Sequence, residues 1–139
     1  RSISVAPVID KLQMAMQKVY PNTAFDMSAA PCTFFGDERD LMELLGNLID
    51  NGCKYGRSSI KLRAEEIQDG LELIVEDDGP GIPLERRKQV LERGTRMDSR
   101  APGQGIGLAV VTEIVDRYDG EIEIDQSDLG GAKITVRFG

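Results

Sequence analysis

The chain has 139 residues, 40% of them hydrophobic and 29% charged, which suits one globular domain with a real core. Its net charge of −7 argues against nucleic acid or an anionic membrane as the main partner, and no apolar run approaches the ~20 residues that cross a bilayer. With two cysteines and no histidine, neither a disulfide scaffold nor a zinc site is indicated, so Cys32 and Cys53 read as small apolar packing residues in a reducing cytoplasm. No signal-peptide pattern opens the chain, and Arg1 is not a natural start, so a fragment of a longer protein is expected.

Val8, Ile9, Leu12 and Met16 keep helical spacing, which predicts a helix over Pro7 to Tyr20. Pro21-Asn22 breaks it. Thr23 to Met27 and Thr33 to Phe35 are short strand candidates. Asp37 can cap a second helix running to Tyr55. Ser59 to Glu66 and Leu71 to Glu76 predict a hairpin across Asp69-Gly70. A glycine- and proline-rich turn follows from Asp77 to Pro83, then a short polar helix over Leu84 to Leu91 and an aperiodic loop over Glu92 to Gly103. Gly105 to Tyr118 is a third helix, apolar at Leu108, Val111, Ile114 and Val115. Glu121 to Asp125 and Ala132 to Phe138 alternate as strands across Gly130-Gly131. Helices and strands mix without regular βαβ alternation, which favours an α+β sandwich over a doubly wound sheet.

Three constellations could carry chemistry. On the second helix Asp40, Glu43, Asn47, Asp50, Asn51 and Lys54 form one polar stripe, opposite Leu41, Leu44, Leu45, Leu48 and Ile49. A solvated face usually holds long charged side chains. This stripe holds two asparagines, which are mediocre helix formers, and then a lysine. Amide oxygens can ligate Mg²⁺, and an ammonium can meet a phosphate. Alternatively, the stripe is an ordinary amphipathic surface. The second constellation, Asp77-Asp78-Gly79-Pro80-Gly81-Ile82, ends a strand. Its glycines allow close backbone approach to a flat ligand, and a carboxylate there can accept from an exocyclic amine. The same residues also make a plain β-turn. The third, Gly103-Gln104-Gly105-Ile106-Gly107-Leu108, opens a helix whose N–H groups and dipole suit phosphate. It is neither a Rossmann fingerprint nor a P-loop, and taken alone it could be a hinge. Beside it, between Arg86 and Arg100, six basic residues (Arg86, Arg87, Lys88, Arg93, Arg96, Arg100) stand against Glu92 and Asp98. By count this is a solvated helix and loop; its place next to the glycines turns the reading toward phosphate.

In this order the three segments resemble the N, G1 and G2 boxes of the GHKL ATPase superfamily, which includes gyrase, Hsp90 and sensor histidine kinases. The resemblance implies a two-layer α/β (Bergerat) sandwich, a mixed sheet on three main helices with a mobile ATP lid. Within the superfamily, hydrolases carry a glutamate four residues before the metal-binding asparagine. Here that position is Asn47, whose amide cannot act as a general base, as in histidine kinases.

Carried over by position, the resemblance implies that Asp77 accepts from the adenine amine, with Gly79, Gly81 and Ile82 beside it. Asn47, Asn51 and Gln104 are implied Mg²⁺ ligands. Lys54 and Arg96 are implied phosphate contacts, and Tyr55 is placed near the ribose or base. Gly103, Gly105, Ile106, Gly107 and Leu108 would fold the loop over the phosphates. Asn47, Lys54 and Arg96 make up the implied catalytic set.

The implied function is transfer of the ATP γ-phosphoryl to a histidine on a separate dimerisation domain, with a response regulator downstream. The isolated domain would be a monomer, the full-length protein a homodimer, and the domain the cytoplasmic part of an inner-membrane sensor. Gly52 stands where alanine is usual, and Val90-Leu91 stand where the F box has phenylalanine. A hydrolysing ATPase, a nucleotide-regulated docking module and a serine kinase of the anti-sigma type share the same boxes and remain alternatives.

Overall fold

A computed structural model describes residues 2–55, 58–82, 85 and 106–139. In chain order the elements are β1 (Ile3–Ser4), α1 (Val5–Val19), β2 (Ala24–Ala29), β3 (Thr33–Phe34), α2 (Glu38–Tyr55), β4 (Ser59–Ile67), β5 (Gly70–Asp77), α3 (Ile106–Arg117), β6 (Glu121–Gln126) and β7 (Ala132–Phe138). Five strands form a mixed sheet in the order β2-β4-β5-β7-β6, with β2 parallel to β4 and the other pairs antiparallel. The three helices cover one face, as an α+β sandwich requires.

Strand alternation decides which face is covered. Leu62 pairs with Val75, and Leu73 with Val136, in one apolar row turned toward the helices. One residue out of step, Lys61, Glu76 and Lys133 align across the opposite face, as do Glu65, Glu72 and Arg137. There Arg137 bridges Glu72 at 2.8 Å and Glu123 at 2.7 Å. The helices answer with their own stripes: Leu41, Leu44, Leu45, Leu48 and Ile49 of α2 and Leu108, Val111, Ile114 and Val115 of α3 are all buried. Leu45 is 0% exposed at the centre of this layer. Leu45→Ala is expected to cost about 2–5 kcal/mol of unfolding free energy, read as a lowered urea midpoint at unchanged slope.

The local signals act as anticipated, with shifts of a few residues. Asp37 caps α2, its Oδ1 accepting the Arg39 N–H at 2.8 Å. Helix α1 starts at Val5, two residues before Pro7, with Ser4 extended as its N-cap. Pro7 therefore sits in the first turn, where its missing N–H has no intrahelical partner to lose. At both acidic-glycine turns the left-handed residue is the aspartate, Asp69 at φ 65° and Asp119 at φ 55°. The Gly120 N–H closes α3 on the Val115 carbonyl at 2.8 Å, a Schellman-type end.

Helix α2 is braced on both flanks. The Tyr20 hydroxyl, at the end of α1, donates to Asp50. The Tyr118 hydroxyl, just past α3, donates to Asp40 and accepts the Asp37 N–H at 3.1 Å, while Arg117 meets Asp40 at 2.9 Å. Burial first, and then the Asp50 carboxylate, pushes the Tyr20 phenol up to about 12, and Tyr118 is raised too, chiefly by burial. Both phenols keep their protons at neutral pH.

Candidate functional site

The polar stripe of α2 divides by neighbour. Asp40 and Asp50 are spent on the braces, one to each side. Between them Asn47 and Asn51 lie half-buried one turn apart. The Asn47 Nδ2 donates to the Glu43 carbonyl at 2.7 Å, which leaves Oδ1 as the amide atom able to accept or ligate. Lys54 is exposed and pairs with Asp50 at 3.4 Å. An exposed pair of this kind is weak enough for the ammonium to exchange partners.

The end of β5 meets the last turn of α2 at Gly52. A Cβ on Gly52 would stand 2.7 Å from Ile60 Cδ1 and 3.7 Å from Asp77 Oδ2. The glycine costs the helix about 0.5–1 kcal/mol, and in exchange the helix backbone lies close to the Asp77 carboxylate.

The two acids of the Asp77-Asp78 turn differ in role, which the sequence alone does not separate. Asp78 is structural. Both of its oxygens accept the Ser58 N–H, at 3.0 and 3.1 Å, and Oδ2 also accepts the Ser58 hydroxyl at 3.1 Å, pinning the entry to β4. Asp77 is 9% exposed and splits its oxygens. Oδ1 accepts the N–H of Gly79 at 2.9 Å and of Ala132 at 3.2 Å. Oδ2 has no hydrogen-bond partner among the described residues. Burial raises the Asp77 carboxyl above the ordinary aspartate value, the Gly79 and Ala132 donors pull it down, and the Asp78 charge adds to the rise. The result is an oriented carboxylate with one oxygen fixed and one open.

The β6–β7 turn supplies what the sequence reading missed. The Gly131 N–H donates to the Asp77 carbonyl at 3.1 Å. A Cβ on Gly131 would lie 2.0 Å from Asp77 Oδ1 and 2.6 Å from the Gly79 nitrogen. Gly130-Gly131 looks like an ordinary hairpin turn in sequence; in the structure only Gly130 has a positive φ, so the second glycine serves close approach to Asp77 rather than the turn itself. Gly79 is buried, Gly81 turns at φ 77° against the Gly131 backbone, and Ile82 packs on the core.

Gly52 thus sets the last turns of α2, which carry Asn47, Asn51 and Lys54, against the end of β5 at Asp77, and Gly79, Gly81 and Ile82 follow in the next turn. Ile106 and Gly107 open α3, and the Leu108 side chain is buried in the core, where it seats that helix. Arg96, Gly103, Gln104 and Gly105 lie outside the described residues, as do the expected 84–91 helix apart from the helical Glu85, the 92–103 loop, Val90-Leu91 and the Tyr55 side chain. Cys53 is half-buried beside the site; burial, and then Asp50, pushes its thiol up to about 11 against a Thr23 hydrogen bond, so it is protonated at neutral pH and a poor nucleophile. No group of three or more His, Cys, Asp or Glu able to hold a metal occurs among the described residues.

The sequence profile of the histidine kinase-, DNA gyrase B-, and HSP90-like ATPases matches residues 36–139. Sensor protein PhoQ of Escherichia coli (strain K12) is 43% identical over 138 residues, 97% of this chain and 28% of the relative. Virulence sensor histidine kinase PhoQ of Salmonella typhimurium is 44% identical over the same span. The chain therefore spans 28% of the length of these curated relatives. Among solved structures, the mycobacterial sensor histidine kinase MprB superposes with a TM-score of 0.86 at 28% identity, covering 99% of this chain and 95% of that one. The ATP binding domain of PrrB from Mycobacterium tuberculosis shares the fold, with a TM-score of 0.84 at 24% identity over 99% of this chain and 95% of that one. Fold, site geometry and relatives agree: the chain belongs to the histidine kinase-, DNA gyrase B-, and HSP90-like ATPase family.

Proposed function

We propose that this chain is the ATP-binding catalytic domain of a two-component sensor histidine kinase, holding Mg-ATP so that the γ-phosphoryl reaches a histidine on a separate helical dimerisation domain. The observation that carries the reading is the divided Asp77 carboxylate. Oδ1 is held by two backbone donors, and Oδ2 stands open beside Gly52, where it can accept from the exocyclic amine of adenine.

The other residues follow by position. Asn47 and Asn51, with Gln104, present amide oxygens suited to a hard cation, and the Asn47 amide nitrogen is already committed to its own helix. Mg²⁺ would neutralise charge on the phosphates. Lys54 leaves Asp50 for a phosphate oxygen, joined by Arg96. Tyr55 is assigned to the ribose or base by the family resemblance, and Gly79, Gly81 and Ile82 would floor the base. Gly103, Gly105, Ile106, Gly107 and Leu108 carry the phosphate-side segment into α3. Phosphoryl transfer demands positioning and charge stabilisation more than covalent help, which fits a site of amides, backbone donors and one oriented carboxylate. Asn47 cannot take a proton from water, which favours transfer over hydrolysis.

The chain contains no histidine, so the acceptor lies outside it. PhoQ and MprB are named as sensor kinases. We read the whole protein as a homodimeric membrane sensor with this domain in the cytoplasm, serving a response regulator, and the domain alone as a monomer. Among the described residues no helix is long and apolar enough to cross a membrane.

Calorimetric titration with a non-hydrolysable ATP analogue tests the reading. Saturable one-to-one binding, strengthened by Mg²⁺, is expected. No binding, or acid-labile phosphate formed on this chain alone, would overturn it.

A further inference from the structure

Glu76 is a carboxylate that the proposed function leaves unused. It adjoins Asp77 on β5 and therefore points to the opposite sheet face, yet it is only 7% exposed. Its partner is Ser127, directly after β6 and 4% exposed. The Ser127 hydroxyl donates to Glu76 Oε1 at 2.7 Å. Arg63 Nη2 lies 3.6 Å from Glu76 Oε2 and balances the charge. Burying such a group is costly unless it is satisfied, so this pair holds its geometry firmly.

Ser127 also organises the whole β6–β7 turn. Its Oγ accepts the Leu129 N–H at 2.9 Å, its carbonyl accepts the Gly130 N–H at 2.9 Å, and its N–H donates to the Gly131 carbonyl at 2.7 Å. The far side of the same turn delivers Gly131 N–H to the Asp77 carbonyl and Ala132 N–H to Asp77 Oδ1. Two consecutive residues of β5 are thus tied to one turn, Glu76 from the outer face and Asp77 from the inner.

We infer that Ser127 and Glu76 are positioning residues for the Asp77 carboxylate: they lock the β6–β7 turn so that its Ala132 N–H holds Oδ1 and leaves Oδ2 aimed at the base. The inference rests on the proposed adenine role of Asp77. Neither residue touches the nucleotide. Without the Ser127 hydroxyl the turn loses its outer-face tie to Glu76, the Ala132 donor loosens, and the carboxylate is less firmly oriented.

Two measurements test this. The first compares binding of an ATP analogue with that of the inosine counterpart, which lacks the exocyclic amine, in wild type, Ser127→Ala and Glu76→Gln. Loss of one hydrogen bond's worth of orientation predicts that Ser127→Ala weakens ATP-analogue binding about tenfold while leaving the weak inosine binding unchanged. Glu76→Gln keeps an acceptor for Ser127 and should retain most of the discrimination. The second is hydrogen exchange of the Ala132 amide without nucleotide, which should speed up about tenfold in Ser127→Ala and little in Glu76→Gln. Equal losses for both nucleotides, or unchanged Ala132 exchange, would overturn the inference. If Ser127→Ala does not fold, Glu76→Ala read against Glu76→Gln decides the same question. Wild type with no preference for the ATP analogue would instead sink the adenine reading, and the tether would still stand or fall on Ala132 exchange.

Discussion

On the proposed adenine role of Asp77, Asp77→Asn should weaken nucleotide binding severely without weakening the fold. The amide oxygen can take over the Gly79 and Ala132 N–H groups. The amide nitrogen then occupies the Oδ2 position and meets the adenine amine donor to donor. Losing a charge-assisted acceptor and gaining that repulsion predicts a drop in affinity of about 100- to 1,000-fold, measured by calorimetry.

Stability moves the other way. Burial raises the folded-state pKa of Asp77 above its unfolded value. A carboxyl shifted upward contributes stability only while protonated, at low pH, and loses that contribution as pH rises through the folded pKa. Above that raised pKa the wild type therefore carries a desolvated charge that asparagine lacks. The variant should melt at the same temperature or higher at pH 7, and its advantage should shrink as pH falls through the raised Asp77 pKa. A variant less stable at neutral pH would contradict this account. Site residues that trade stability for function behave in this way.

Gly131→Ala should fail on both counts. The added methyl would meet Asp77 Oδ1 at 2.0 Å, the Asp77 carbonyl oxygen at 2.6 Å and the Gly79 nitrogen at 2.6 Å. Two of these three are backbone atoms, so no rotamer change relieves the clash. Strain of this kind costs about 1–3 kcal/mol, and the hydrogen bonds of Gly131 and Ala132 to Asp77 would go with it. A melting-temperature loss of about 10 °C and a collapse of ATP-analogue binding are expected together. Gly130→Ala is the contrast: a Cβ there meets nothing within 4 Å, and the cost is confined to the positive φ of 110°.

Much of the fold is legible in the chain because local signals agree with tertiary ones. The leucine spacing of α2, its Asp37 cap and its burial all point one way. What escapes has physical causes. Strand β1 is two residues long, too short for any period, and exists by pairing with β3. The parallel pairing of β2 with β4 leaves no mark in alternation, which looks the same for either direction. Asp77 and Asp78 sit in one turn with one chemistry; they are told apart by partners 20 to 55 residues distant, Ser58 and Ala132. Glu76 reads as the solvated member of an alternating strand until Ser127 folds over it.

The two phenol-to-carboxylate contacts on α2 have a mechanical consequence. Tyr20 grips Asp50 from one side and Tyr118 grips Asp40 from the other, nearly three helical turns apart along the axis. Two anchors so spaced prevent the helix from rolling about its axis or sliding along it. The paired asparagines are therefore carried on a helix tied down at both flanks, and on the proposed reading a ligand meets two amides whose spacing is set in advance.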